Sequence, residues 1–219
     1  LYYSHIPTAA ISLLLGFFVF CQGRHLLLNR LLFGITICFS LWIFVNLILW
    51  TDIHSELMLI AWSFLRVFSS LISVLCIYFV YVFLEKKDVS TLFKGILGAL
   101  ILPVIILAPT YLNLSGFNIA NCDAYDHESS LFIFYRVAFG IIAMIGVLIL
   151  VIRRYRKATS DFKKQIVIIG VGMEMFLLLF FFVTFLAAYF TKIGIMSDSR
   201  LEFYGLFGMV FFITYLSVL

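Results

Sequence analysis

Long apolar runs, broken only by short charged loops, limit what this 219-residue chain can become, because none of them can lie in water. In hydrocarbon every backbone N–H and C=O must find its partner within the protein, which leaves helices or a closed barrel. The runs show no alternation of apolar and polar residues, so they are read as helices. Composition agrees: 64% of residues are hydrophobic, 12% are charged, and the mean hydropathy is +1.17.

Crossing roughly 30 Å of hydrocarbon takes about 20 helical residues. The runs long enough to do so cover 6–22, 31–50, 56–84, 92–111, 130–152, 165–190 and 203–219. The expected fold is therefore all-α, an integral membrane seven-helix bundle forming a single domain over 1–219. The last run is still apolar at Leu219, and the first residue is Leu. Both features lead us to expect a piece of a longer protein, cut within helix seven.

Charge sets the expected orientation. Arg24, Arg30, Lys86, Lys87, Lys94, Arg153, Arg154, Arg156, Lys157, Lys163 and Lys164 all fall on one set of alternate loops. The other set holds Lys192 and Arg200 beside Asp52, Glu56, Asp123, Asp126, Glu128, Asp198 and Glu202. The positive-inside bias then puts the N-terminus outside and the C-terminus in the cytoplasm. The net charge of +4 is thus a topology signal and gives no reason to expect a nucleic-acid partner. A multi-pass protein of the inner (plasma) membrane is expected, with the lipid bilayer as its partner. A cleaved signal peptide fits poorly, since the basic residues follow the first run instead of preceding it. Neither a linker-like stretch nor an inverted repeat interrupts the chain. Cys21, Cys38 and Cys76 lie in or beside expected helices and only Cys122 in an outer loop, so no outer disulfide is expected.

Three ionisable residues lie well inside spans: Arg66, Arg136 and Glu174. Each is expensive in hydrocarbon unless paired or hydrated, and each is expected to face the bundle interior. Arg66 sits roughly 15 Å below the outer end of helix three and Glu174 roughly 14 Å above the inner end of helix six. An ion pair between them is geometrically allowed. Ser63, Arg66, Ser70 and Ser73 recur at three- and four-residue spacing and form one polar stripe. Trp42, Asn46 and Trp50 form a companion stripe on helix two, with Trp62 one turn before Arg66 on helix three. Serines and an asparagine so placed commonly hold helices together, whereas the charges are the better functional candidates.

The outer boundary gathers His5, His54 and His127 with the acids of those loops. His54, His127 and Asp123 are weak metal or proton-sensing candidates, since no HxH or HxxxH spacing fixes a ligand geometry. Tyr2, Tyr3, Trp50, Tyr111 and Tyr125 read as an interfacial aromatic belt. The seventh run carries no lysine for a retinal Schiff base, and the chain has no intramembrane histidine pair for haem. GxSxG, HExxH and Walker patterns are also missing. No cofactor and no catalytic residue are expected in this segment.

The run NRLLFGITICFSLWIFVNLILW (29–50), followed by AWSFLRVFSSLISVLCIYFVYVFL (61–84), resembles the N-terminal seven-transmembrane sensor region of bacterial membrane histidine kinases. The positions that carry the likeness are Asn29, Phe33, Trp42, Trp62 and Arg66, with the basic inner stretch KKQIVIIGVG (163–172) and Phe203-Tyr204-Gly205 later on. The chain departs from that pattern at Leu84-Glu85 and at Leu206, where a proline often stands. The resemblance implies a sensory input domain that passes a conformational signal to a cytoplasmic output module, such as a histidine kinase, in the same polypeptide. It also implies a homodimer and an unassigned small ligand. The alternative reading is a small-molecule or ion transporter, or a fragment of one. The residues proposed for ligand binding or signalling are Arg66, Glu174, Arg136, Ser63, Ser70, Asn46, Trp42 and Trp62.

Overall fold

The computed structural model describes residues 2–49, 55–114, 116, 129–183 and 189–190, and over these the chain is helical. The helices are α1 (Tyr2–Gln22), α2 (Leu27–Leu49), α3 (Ser55–Glu85), α4 (Thr91–Leu107), α5 (Ser130–Tyr155) and α6 (Ser160–Leu177). A π-helical turn, Leu178–Val183, continues α6. Five of these segments are long and apolar enough to cross a membrane, and α4, with 17 residues, is the shorter sixth. Each of the first six expected runs overlaps one helix, while the seventh, 203–219, lies outside the described residues.

Helix ends differ from the hydropathy reading where polar residues are helical. α6 starts at Ser160, not at 165, because Thr159 takes the N-cap position and Asp161 sits in the first turn, where a carboxylate favours the helix dipole. In the other direction, α4 stops at Leu107, not at Tyr111, after Pro103. The chain then turns through Pro109 and Thr110, whose N–H donates to Leu107 O at 3.0 Å. The end of α4 is held by its neighbours. Ala108 O accepts from Ser63 Oγ of α3 at 2.7 Å and from Asn113 Nδ2 at 2.8 Å, which satisfies a carbonyl that a helix end would leave open.

α3 is the central element and packs against α2, α4, α5 and α6. Of its spanning window 61% is buried, against 22% for α5, so α3 is ringed by protein and α5 is mostly peripheral. Residues at helical spacing build the core: Ile35, Phe39 and Ile43 on α2, Ile72, Cys76 and Val80 on α3, and Ile166, Met173 and Phe176 on α6 are fully buried. The outward faces are equally apolar, with Leu14, Phe17, Phe18, Ile105, Ile106, Ile145 and Ile149 all exposed. A surface of that kind over several helices is a lipid-facing one.

α1 and α2 form a tight hairpin around the turn at 23–26. A Cβ at Gly16 would overlap the Thr36 hydroxyl, so only glycine permits this approach. Asn29 Nδ2 donates to Val19 O at 3.0 Å and Ser40 Oγ to Ala9 O at 3.2 Å, closing the hairpin at both ends. Lys86, the residue after α3, is a non-glycine residue with φ of 53°, a left-handed conformation costing roughly 1–2 kcal/mol. Asp88 then organises the loop: its carboxylate accepts from Tyr78 Oη, from Val89 N at 2.7 Å and from Lys94 Nζ at 2.6 Å. The Lys94 ammonium, followed by the Tyr78 hydroxyl, holds that carboxyl below the usual carboxylate range.

Candidate functional site

Arg66 is 3% exposed, in the first half of α3. Its guanidinium lies over the Trp62 ring, 4.3 Å from the centroid. A desolvated contact of this kind contributes about 2 kcal/mol towards the burial of the charge. The sequence stripe is present on α3, but its hydroxyls mostly turn inward along their own helix. Ser69 Oγ and Ser70 Oγ donate to Arg66 O at 2.9 and 3.0 Å, and Ser73 Oγ donates to Ser69 O at 3.0 Å. Ser63 alone reaches another element, the end of α4, while also lying 2.8 Å from Leu59 O. The expected role of these serines as interhelical glue therefore holds for Ser63 and not for Ser70 or Ser73 among the bonds described.

A cavity of about 180 Å³ opens beside Arg66. Trp42 of α2, Arg66 and Ser69 of α3, Arg136 and Met144 of α5, and Phe180 of the π-helical turn line it. Two arginines from different helices thus line one largely apolar space. Its floor is a packed aromatic group: Phe180 lies 4.9 Å from Trp42, 6.0 Å from Phe39 and 5.7 Å from Phe176, between ring centroids. The π-helical turn seats that group. Wider hydrogen-bonded turns insert one residue into a helix and often mark functional positions.

Arg66 and Glu174 do not meet. Among the described residues no ion pair joins them, and Glu174 Oε1 is shielded from solvent with no hydrogen-bond donor near it. Helical phase explains this. α6 turns Ile166, Ile169, Met173, Phe176 and Phe180 to the core, which leaves Glu174 at the edge of that stripe. The expected midplane pair is replaced by a shared cavity in which Arg66 faces α5.

Of the other expected site residues, Trp42, Trp62 and Asn46 are buried, and the first two stand at or beneath the cavity. Trp50, His54, His127, Asp123 and Cys122 lie outside the described residues. Among the described residues no group of His, Cys, Asp and Glu is placed to hold a metal. Phe180, Phe181, Met144 and Gly140 carry no signal in the sequence that marks them as cavity residues. The small residues Gly140 and Ala143 of α5 are both buried, and a Cβ at Gly140 would stand 3.1 Å from the Phe181 ring. Gly95 and Gly98 on α4 face open space instead. Comparison with family models, with curated proteins and with solved structures finds no match to this chain.

Proposed function

We propose that this chain is a sensory input domain, seven spans with the N-terminus outside, whose C-terminal end drives a cytoplasmic output module such as a histidine kinase. In this reading it works as a homodimer in the plasma membrane. The observation that carries the proposal is the cavity between α3 and α5, where Arg66 and Arg136 line an apolar space walled by the π-helical turn. The family resemblance in 29–84 supports the same role.

The mechanism rests on the wall. A π-helical turn holds one residue more than α-helix of the same rise, so its loss or migration turns α6 by roughly 100° relative to the chain that follows. A ligand that fills the cavity in one pitch and clashes in the other shifts the balance between them. Equal affinity for both would shift nothing.

The test fuses residues 1–219 to the cytoplasmic region of a heterologous histidine kinase and measures autophosphorylation in nanodiscs. Val137→Phe fills the cavity from α5, whereas Ile145→Phe adds the same bulk on an exposed face of that helix. A bias of about 1 kcal/mol between two states changes their ratio about fivefold. Val137→Phe is expected to move basal activity by at least that much and Ile145→Phe to leave it unchanged. Equal effects of the two changes overturn the reading. Protein-dependent flux of a trapped ion or dye across sealed proteoliposomes would favour a transporter.

A further inference from the structure

A second recess lies at the end of the bundle where α3, α5 and α6 meet. It encloses about 410 Å³ and is lined by Lys86, Arg154, Lys157, Thr159, Asp161 and Gln165, among others. Three cations from three places in the chain converge there: the residue after α3, the last turn of α5, and the turn into α6. Asp161 is the single carboxylate among the residues lining it, and no ion pair among the described residues joins it to any of the three. Arg154 Nε is shielded from solvent and meets no hydrogen-bond acceptor, an unusual state for a group that donates wherever an acceptor is within reach.

The backbone works to build this recess. Lys86 adopts φ of 53°, and its ammonium lies 4.9 Å from the centroid of the Phe162 ring on α6. The strained turn and the ring together hold one cation against the start of another helix. Thr159, at the N-cap of α6, gives no side-chain cap, so the first amides of α6 keep their donors open at the positive end of the helix. Arginine, lysines and open amides around a recess make up the donor set that oxygen-rich anions select.

Depth narrows the anion further. Arg154 and Lys157 stand at the boundary where the apolar stretch Ser130–Tyr155 ends. Lipid phosphates occupy that level of a bilayer. We propose that the recess formed by Lys86, Arg154 and Lys157 binds a phosphate group, as borne by an anionic phospholipid of the adjoining leaflet or by a soluble phosphate ester. The bound group tethers the end of α3 to the α5–α6 turn and so fixes how these helices splay at that face.

The experiment is a binding titration by native mass spectrometry on the full chain in detergent, with short-chain phosphatidylglycerol, phosphatidylcholine and glycerol 3-phosphate as probes. The double change Arg154→Gln, Lys157→Gln removes two recess cations. Arg153→Gln, Arg156→Gln removes the same charge from exposed positions outside the recess. At about tenfold per 1.4 kcal/mol and about 1 kcal/mol per cation, the recess pair is expected to lose about thirtyfold in phosphatidylglycerol affinity. The exposed pair should lose about threefold at most, with thermal melting of both variants close to that of the unaltered chain. Preference for phosphatidylglycerol over both other probes assigns the site to lipid; displacement of the lipid by glycerol 3-phosphate assigns it to a soluble ester. Equal losses in the two double variants, or no preference for either net-anionic probe over zwitterionic phosphatidylcholine, whose choline offsets its phosphate charge, overturn the proposal. The readout is binding alone, so it stands or falls separately from any signalling role.

Discussion

Ala108 O shows how closely single atoms in this bundle are accounted for. It is buried, and two donors serve it, Ser63 Oγ and Asn113 Nδ2. Either donor alone still satisfies the carbonyl, so Ser63→Ala or Asn113→Ala should each cost about 1 kcal/mol or less. The double change strands a buried acceptor and should cost more than the sum, by about 1–3 kcal/mol. Reversible unfolding in mixed micelles measures all three variants. The Arg66 and Glu174 changes should behave in the opposite way. Since the two side chains do not pair, Arg66→Leu and Glu174→Gln should add to within about 0.5 kcal/mol, and strong coupling in that cycle would restore the midplane pair. Both charges are legible in the sequence as intramembrane residues. Which of them meet is not, because a 100° step along α6 separates a core-facing position from Glu174 and hydropathy does not register that phase.

At the level of elements, legibility tracks hydrophobic length. The six described helices coincide with runs that are readable as apolar stretches, since a membrane demands length before anything else. Polar helix starts are invisible to the same reading, as Ser160–Gln165 shows. So is the π-helical turn: LLFFFV carries no residue that distinguishes it from α-helix. Within the turn, Phe180 packs on Trp42 and on Phe181, contacts that the sequence does not announce. Deleting Leu179 removes one residue from Leu178–Val183 and should return the segment to α-helical pitch. In the kinase fusion this deletion is expected to lock output in one state and abolish the response to Val137→Phe. Output that still responds to Val137→Phe would show that pitch is not the switch.

For the whole molecule, orientation is the property to measure first. Cys21 is exposed at the end of α1, beside the basic α1–α2 turn, while Cys122 belongs to the acidic side of the charge pattern. An impermeant maleimide applied to intact cells should label Cys122 and spare Cys21, with Cys21 labelled after permeabilisation. A reporter fused after residue 219 should be cytoplasmic. Labelling of Cys21 from outside would invert the topology drawn from the charges.

The unequal lengths of two neighbouring helices have a consequence for the lipid around them. α3 has 31 residues and α4 has 17, or about 46 Å against about 26 Å of helix. Beside a hydrocarbon layer of about 30 Å, the first must tilt while the second, if it crosses, falls short and draws the bilayer thinner at its side. Where α4 crosses, the lipid collar is uneven, compressed along α4 and relaxed along α1. Shorter acyl chains relieve that compression, so thermal stability in nanodiscs should pass through its maximum at a chain length below that preferred by a bundle of equal helices. A thick bilayer would press on α4 first, and through Ser63 on the first half of α3.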